Sequence, residues 1–193
     1  MRSKMCVSLF KMVEIRQKED PVLRKTSKEV SLSDIGNTKL NKIIADMTTA
    51  LTECEDGVAL AAPQIGESIR LFIVSPKAFA FRTKENVTPE IKTEENKLVY
   101  INPVIIKKSA KKETLDEGCL SVPQIFGKIK RHQKVTIQAS DEHGNKFIRG
   151  ATGLLAEIFQ HETDHLNGIL FIDSAKELVK MVAKKTEHDQ QQS

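Results

Sequence analysis

His161, Glu162, Thr163, Asp164 and His165 spell the pattern HExxH. On a helix, two imidazoles four residues apart lie on one face and can share a cation, and the intervening glutamate can take a proton from water without coordinating. Two histidines on a helix can equally be ordinary core side chains, because a pattern with two free positions turns up by chance. Catalytic chemistry of this kind needs a third protein ligand and an open position. One downstream source is closed, since Phe171 stands where an extended HExxHxxGxxH pattern requires histidine. A downstream glutamate ligand on a second helix could only be Glu177 or Glu187, both on the short C-terminal segment and neither attractive, and Cys119, in the run Glu117-Gly118-Cys119-Leu120-Ser121, is an upstream thiolate.

The elements that must hold these groups can be read from periodicity. Leu154, Leu155, Ile158, Phe159 and Leu166 recur at helical spacing from Gly153 until Asn167 and Gly168 stop the helix. The stripe Leu154, Ile158, His161, His165 turns both imidazoles toward the core. Leu40, Ile43, Ile44, Met47, Leu51 and Cys54 predict an earlier amphipathic helix over Thr38–Cys54, ended by Gly57. Ile69–Ser75 reads as a strand. Leu98–Ile106 is expected to be an edge or bulged strand because Pro103 lacks an N–H. Lys134–Ser140 and Lys146–Gly150 flank a turn-rich stretch and predict a hairpin. Thr83–Lys97 is charged, contains Pro89 and has no period, so a mobile surface loop is expected. Ser174 and Glu177 form a capping-box pair ahead of Leu178, Val179 and Val182, which predicts a last helix. Strands first, with helices around them, give an α+β fold. A single domain over 1–193 is expected, with 1–12 as a loose N-terminal extension and 174–193 as the C-terminal helix and tail.

Composition narrows the function classes. Of 193 residues, 39% are hydrophobic and 29% charged, and the longest apolar run, Val58–Ala62, is too short to cross a bilayer. The net charge of +4 comes from the first 30 residues, which carry eight basic and four acidic side chains, while the rest carries 22 of each sign. With no Trp, one Tyr and no basic stripe beyond that segment, no direct nucleic-acid specificity is expected. Cys6, Cys54 and Cys119 form an odd set with no close pair, which fits a reducing compartment. A cytoplasmic protein is expected, with an organelle as the alternative because no acidic residue precedes Glu14.

The run Gly57-Val58-Ala59-Leu60-Ala61-Ala62-Pro63-Gln64-Ile65-Gly66, followed by EGCLS and then HETDH, resembles the peptide deformylase family over about Val13–Asp173. Ala59 stands where the family usually has a second glycine, and Gln124, Ile125 and Phe126 lack an arginine often found near there. The resemblance implies antiparallel or mixed sheets around a central helix carrying HExxH. It implies one divalent metal on Cys119, His161 and His165, with Fe(II) first and Zn, Ni or Co as alternatives of suitable ligand chemistry. The substrates it implies are N-formyl-methionyl peptides, nascent chains at the ribosome. Glu162 would be the proton carrier, and the Gln64 amide and Leu120 N–H would stabilise the oxyanion. Gly57–Leu60 would pair with the peptide backbone, a methyl at Ala59 crowding it if so directed, and Val58, Leu115, Leu154 and Ile158 would take the methionine side chain. Glu117 and Arg131 would steady the Cys119 loop. A zinc endopeptidase differs in its third ligand. A non-catalytic binding module would have lost Glu162, Gln64 or a ligand.

Overall fold

A computed structural model of the chain describes residues 13–80 and 98–181. The expected loop over Thr83–Lys97 and the expected extension over 1–12 lie outside them.

Helix α1 spans Thr38–Glu53. The Asn37 side-chain oxygen accepts the Leu40 N–H at 2.8 Å, and Leu40, Ile43, Met47, Ala50 and Leu51 form the buried stripe. The helix ends where Cys54 turns extended. The chain then doubles back so tightly at Gly57 that a Cβ there would stand 2.9 Å from Leu51 Cδ1.

Beyond Gly57 come β1 (Ala59–Ala61), β2 (Leu71–Val74), the single turn α2 (Lys77–Ala80), β3 (Val99–Lys108), β4 (Lys112–Cys119), β5 (Val122–His132), β6 (Lys134–Ser140) and β7 (Lys146–Thr152). Helix α3 (Gly153–Leu166) and β8 (Lys176–Lys180) follow. An antiparallel sheet runs in the order β1-β2-β3-β6-β7, and a smaller one in the order β4-β5-β8. The α+β class and the β6–β7 hairpin are as the sequence predicts.

The larger sheet is buried on both faces at one end. Ala59, Ala61, Phe72 and Tyr100 pack with Leu155, Ile158 and Phe159 of α3, while Leu60, Leu71, Ile73 and Ile101 pack with Leu40, Met47 and Leu51 of α1. Double-sided burial explains why β2 is an unbroken apolar run. Phe159 is fully buried, and truncating such a side chain to alanine costs about 3–5 kcal/mol. The central position of α3 is therefore fixed by packing, and its other side is left for chemistry.

Strand β3 is bulged, the second of the two alternatives the sequence left open, and lies between β2 and β6 rather than at an edge. The register shifts between Ile101 and Val104, which lets Pro103 sit without a ladder N–H, and Asn102 adopts φ +50 there while its side-chain amide exchanges two 2.8 Å bonds with the Val30 backbone. The expected C-terminal helix is instead β8, paired antiparallel to β5 through Ile125↔Lys180, Phe126↔Val179 and Lys128↔Lys176. A short segment with a weak apolar face cannot repay helix nucleation, and the open edge of β5 offers partners for its backbone. The β4–β5 pair was not legible because β4's inward residues, Glu113, Leu115 and Glu117, are mostly charged.

Candidate active site

Three elements converge. Helix α3 brings His161, Glu162 and His165, the end of β4 and its turn bring Cys119, Leu120 and Ser121, and the 3-10 turn Ala62–Ile65 brings Gln64. The backbone at Arg16 and Lys18 ties the last two together: the Arg16 N–H donates to Gln64 O at 2.7 Å and the Lys18 N–H to Ser121 O at 2.9 Å. Gly118 is small for a local reason, since a Cβ there would stand 2.7 Å from the Phe126 ring. The register shift between Gly118 and Cys119 marks where the thiol leaves the β4 ladder.

Cys119 Sγ lies 3.2 Å from His165 Nε2, and one ligand atom from each of Cys119, His161 and His165 falls within 4.8 Å of the others. Burial pushes the Cys119 thiol up, but the imidazoles of His165 and His161 outweigh it and hold the thiol well below its ordinary pKa. Thiolate and imidazole are suitable donors for a divalent transition metal, and a three-ligand set leaves a position open, so the residues fit a catalytic rather than a closed structural site. The downstream carboxylate Glu177 lies on β8, outside this group. Glu187 lies outside the described residues.

His161 is oriented from behind. Its Nδ1 faces Glu117 Oε2 at 2.9 Å, leaving Nε2 for the Cys119 side, and Glu117 is clamped by Arg131 through Nε–Oε1 at 2.6 Å and Nη2–Oε2 at 2.9 Å. Burial raises the Glu117 carboxyl, yet its bonds to Arg131 and His161 bring it down to about 2. Arg131 also pairs with Asp164, a residue in one of the two free positions of HExxH. The sequence suggested the Glu117–Arg131 pair; it gave no sign that Asp164 completes it.

Glu162 is buried, and its Oε2 has no hydrogen-bond partner. Burial pushes its carboxyl up to about 7. Gln64 is also buried: Oε1 accepts the Ala61 N–H at 2.8 Å, and Nε2 donates to Ser121 Oγ at 3.1 Å and faces Cys119 Sγ at 3.6 Å. The amide is thus fixed with its donor end toward the thiol. Ser121, fully buried, is a further residue of the constellation that sequence reasoning missed.

A cavity of about 410 Å³ opens beside these groups. Gly57, Val58, Ala59, Leu154 and Ile158 line it, together with Gln64, Cys119, Leu120, His161 and Glu162, whereas Leu115 does not. Pro123, Phe126, Asp56 and Glu157 also line it. Glu157 could have been found, because it precedes His161 by one helical turn. Among the described residues strand β1 is at the edge of its sheet, paired with β2 alone, so its outer side can take an added strand. The Ala59 side chain belongs to the core cluster with Val74 and Ile158. A strand side chain stands perpendicular to its sheet, so this methyl faces α3 and not the open edge.

A sequence profile of the Polypeptide deformylase family matches residues 12–181. The chain is 39% identical over 167 residues to peptide deformylase 2 of Clostridium acetobutylicum, covering 86% of this chain and 97% of that protein. It is 35% identical to the chloroplastic/mitochondrial peptide deformylase 1A of Arabidopsis thaliana, over 83% of this chain and 60% of that protein. The crystal structure of the Thermotoga maritima peptide deformylase superposes with a TM-score of 0.70 at 34% identity, covering 86% of this chain and 98% of that one. A Synechococcus elongatus peptide deformylase in complex with actinonin superposes at 0.69 and 33% identity, over 85% and 79%. The site described above therefore sits in a chain that belongs to the polypeptide deformylase family, metallohydrolases that remove the formyl group from the N-termini of nascent polypeptides.

Proposed function

We propose that Cys119, His161 and His165 hold one Fe(II) ion, and that the cavity beside them hydrolyses N-formyl-methionyl peptides to formate and a free N-terminus. The observation that carries this reading is the meeting of thiol and imidazoles within 4.8 Å of one another, beside a buried carboxylate with an unpartnered oxygen and an open cavity. When bound, the metal supplies Lewis acidity that activates water and polarises the formyl carbonyl.

The chain's own residues supply the rest. Glu162 accepts the proton from the attacking water and returns it to the departing amine, and a carboxyl held near 7 is suited to both transfers. The Gln64 Nε2–H and the Leu120 N–H donate to the oxyanion that develops as the formyl carbon becomes tetrahedral. Gly57–Ala59 pair with the extended peptide, and Val58, Leu154 and Ile158 receive the methionine side chain. Glu117 and Arg131 hold His161 in the tautomer that presents Nε2. Substrates are nascent chains at the ribosome, and the free Cys54 and Cys119 fit a reducing cytoplasm. Among the described residues no helix is long and apolar enough to cross a membrane.

The test is formate release from formyl-Met-Ala-Ser by anaerobically purified protein, with metal analysis of the same sample. Turnover with one iron per chain is expected. Cys119→Ala should lose both metal and activity, and the native iron form should decay in air faster than a nickel-substituted form, because Fe(II) beside a thiolate invites oxidation. Metal-loaded protein that releases no formate, or a Cys119→Ala variant that keeps its metal, overturns the reading.

A further inference from the structure

The outer part of the cavity carries charge of one sign. Glu157 lines it from α3, about 6 Å along the helix axis before His161. Asp56, exposed beside Gly57, lines it from the segment that leads into β1. The described lining residues include no Lys or Arg. The nearby Glu117 is neutralised by Arg131 and His161, but the Glu157 carboxylate has no hydrogen bond or ion pair among the described residues. Burial, then Glu117, push the Glu157 carboxyl up to about 7; Glu113 adds to this, and His161 and Arg131 oppose it. Its surroundings thus penalise the ionised form, and a cation placed beside it would remove that penalty. Both carboxylates line the same cavity as Gly57–Ala59, where the peptide backbone is placed, and as Leu154 and Ile158, which receive the methionine side chain. With the formyl group at the His161 end, the residues that follow the methionine leave the cavity past this acidic part of its lining.

We infer that Glu157, with Asp56 as the weaker contributor, selects formylated peptides whose second or third residue is lysine or arginine. This specificity rests on the deformylase reading above.

The experiment compares kcat/KM for formyl-Met-Ala-Ser, formyl-Met-Lys-Ser, formyl-Met-Ala-Lys and formyl-Met-Glu-Ser, all as C-terminal amides. At least one lysine peptide should exceed the Ala-Ser peptide by about three- to tenfold, the glutamate peptide should fall below it, and the spread should narrow at high salt. Which lysine peptide gains assigns the position. In Glu157→Gln the lysine advantage should disappear, and in Glu157→Lys it should invert; should the latter not fold, the near-isosteric glutamine variant decides. Equal kcat/KM for all four peptides in the native protein, or a lysine advantage that survives in Glu157→Gln, overturns the inference. Absence of deformylation with every peptide refutes the deformylase reading instead.

Discussion

Arg131 grips Glu117 with two nitrogens while both side chains are nearly fully buried, 7% and 2% exposed, and Glu117 in turn holds His161. The pair joins the smaller sheet to α3 through Asp164. Replacing Arg131 with leucine breaks a buried ion pair and leaves the Glu117 carboxylate with His161 alone, which costs about 3–5 kcal/mol. Loss of the orienting contact should also weaken metal affinity or activity by about 10- to 100-fold. Arg131→Lys keeps the charge but not the fork, so it should recover only part of each. Denaturant unfolding and metal titration check this; a leucine variant with native stability and metal affinity would show that the ion pair has no such role.

Glu162 touches none of the proposed ligands through a hydrogen bond, and its buried carboxylate has a free oxygen. Glu162→Ala should therefore keep its fold and its metal while kcat falls by about 10²–10⁴. Circular dichroism, metal content and formate release are measured on one preparation. Substantial residual turnover, or loss of metal together with activity, contradicts the assigned role.

Ala59 packs its methyl into the core between β1 and α3. From the sequence alone, this methyl is expected to crowd the peptide, so that Ala59→Gly would raise kcat/KM mainly by lowering KM. With the methyl directed away from the strand edge, the glycine variant should instead lose about 0.5–1 kcal/mol of stability and keep KM within about twofold. Thermal unfolding and steady-state kinetics decide, and a several-fold drop in KM would show that the methyl does obstruct substrate.

Tyr100 is the single tyrosine in a chain without tryptophan, so its phenolate absorbance reports one site. It is fully buried, stacked on Phe72 at 4.6 Å between ring centroids. Burial pushes its hydroxyl up from 10 to about 12, against the opposing pull of Arg149. Because the folded value is raised, the neutral phenol contributes stability that is fully present below pH 10 and is lost as pH rises from there to about 12. The two-unit difference corresponds to about 2–3 kcal/mol. A pH titration of phenolate absorbance alongside unfolding should show ionisation only above the ordinary range or together with alkaline unfolding. A transition at 10 with the fold intact would contradict the burial argument.

The sequence by itself determined the elements whose signal is local. The 3.6-residue stripe through Leu154, Ile158, His161 and His165 specified α3 and put both imidazoles on one face, the stripe from Leu40 to Cys54 ahead of Gly57 specified α1, and the turn after Ser140 specified the β6–β7 hairpin. The order of GVALAAPQIG, EGCLS and HETDH also carried the family resemblance. Tertiary structure alone decided what depends on residues far apart in the chain. The β4 strand turns Glu117 inward, and its burial makes sense only once Arg131 arrives from β5 and His161 from α3. Lys176–Lys180 carries a helix-start signal, yet it became a strand because β5 presents an open edge. Local propensity is worth tenths of a kcal/mol per residue, and backbone pairing or charge neutralisation in a buried site outweighs it. The same reason kept Ser121, Asp164 and the acidic side of the cavity out of sight: each acquires its part from neighbours brought close only by folding.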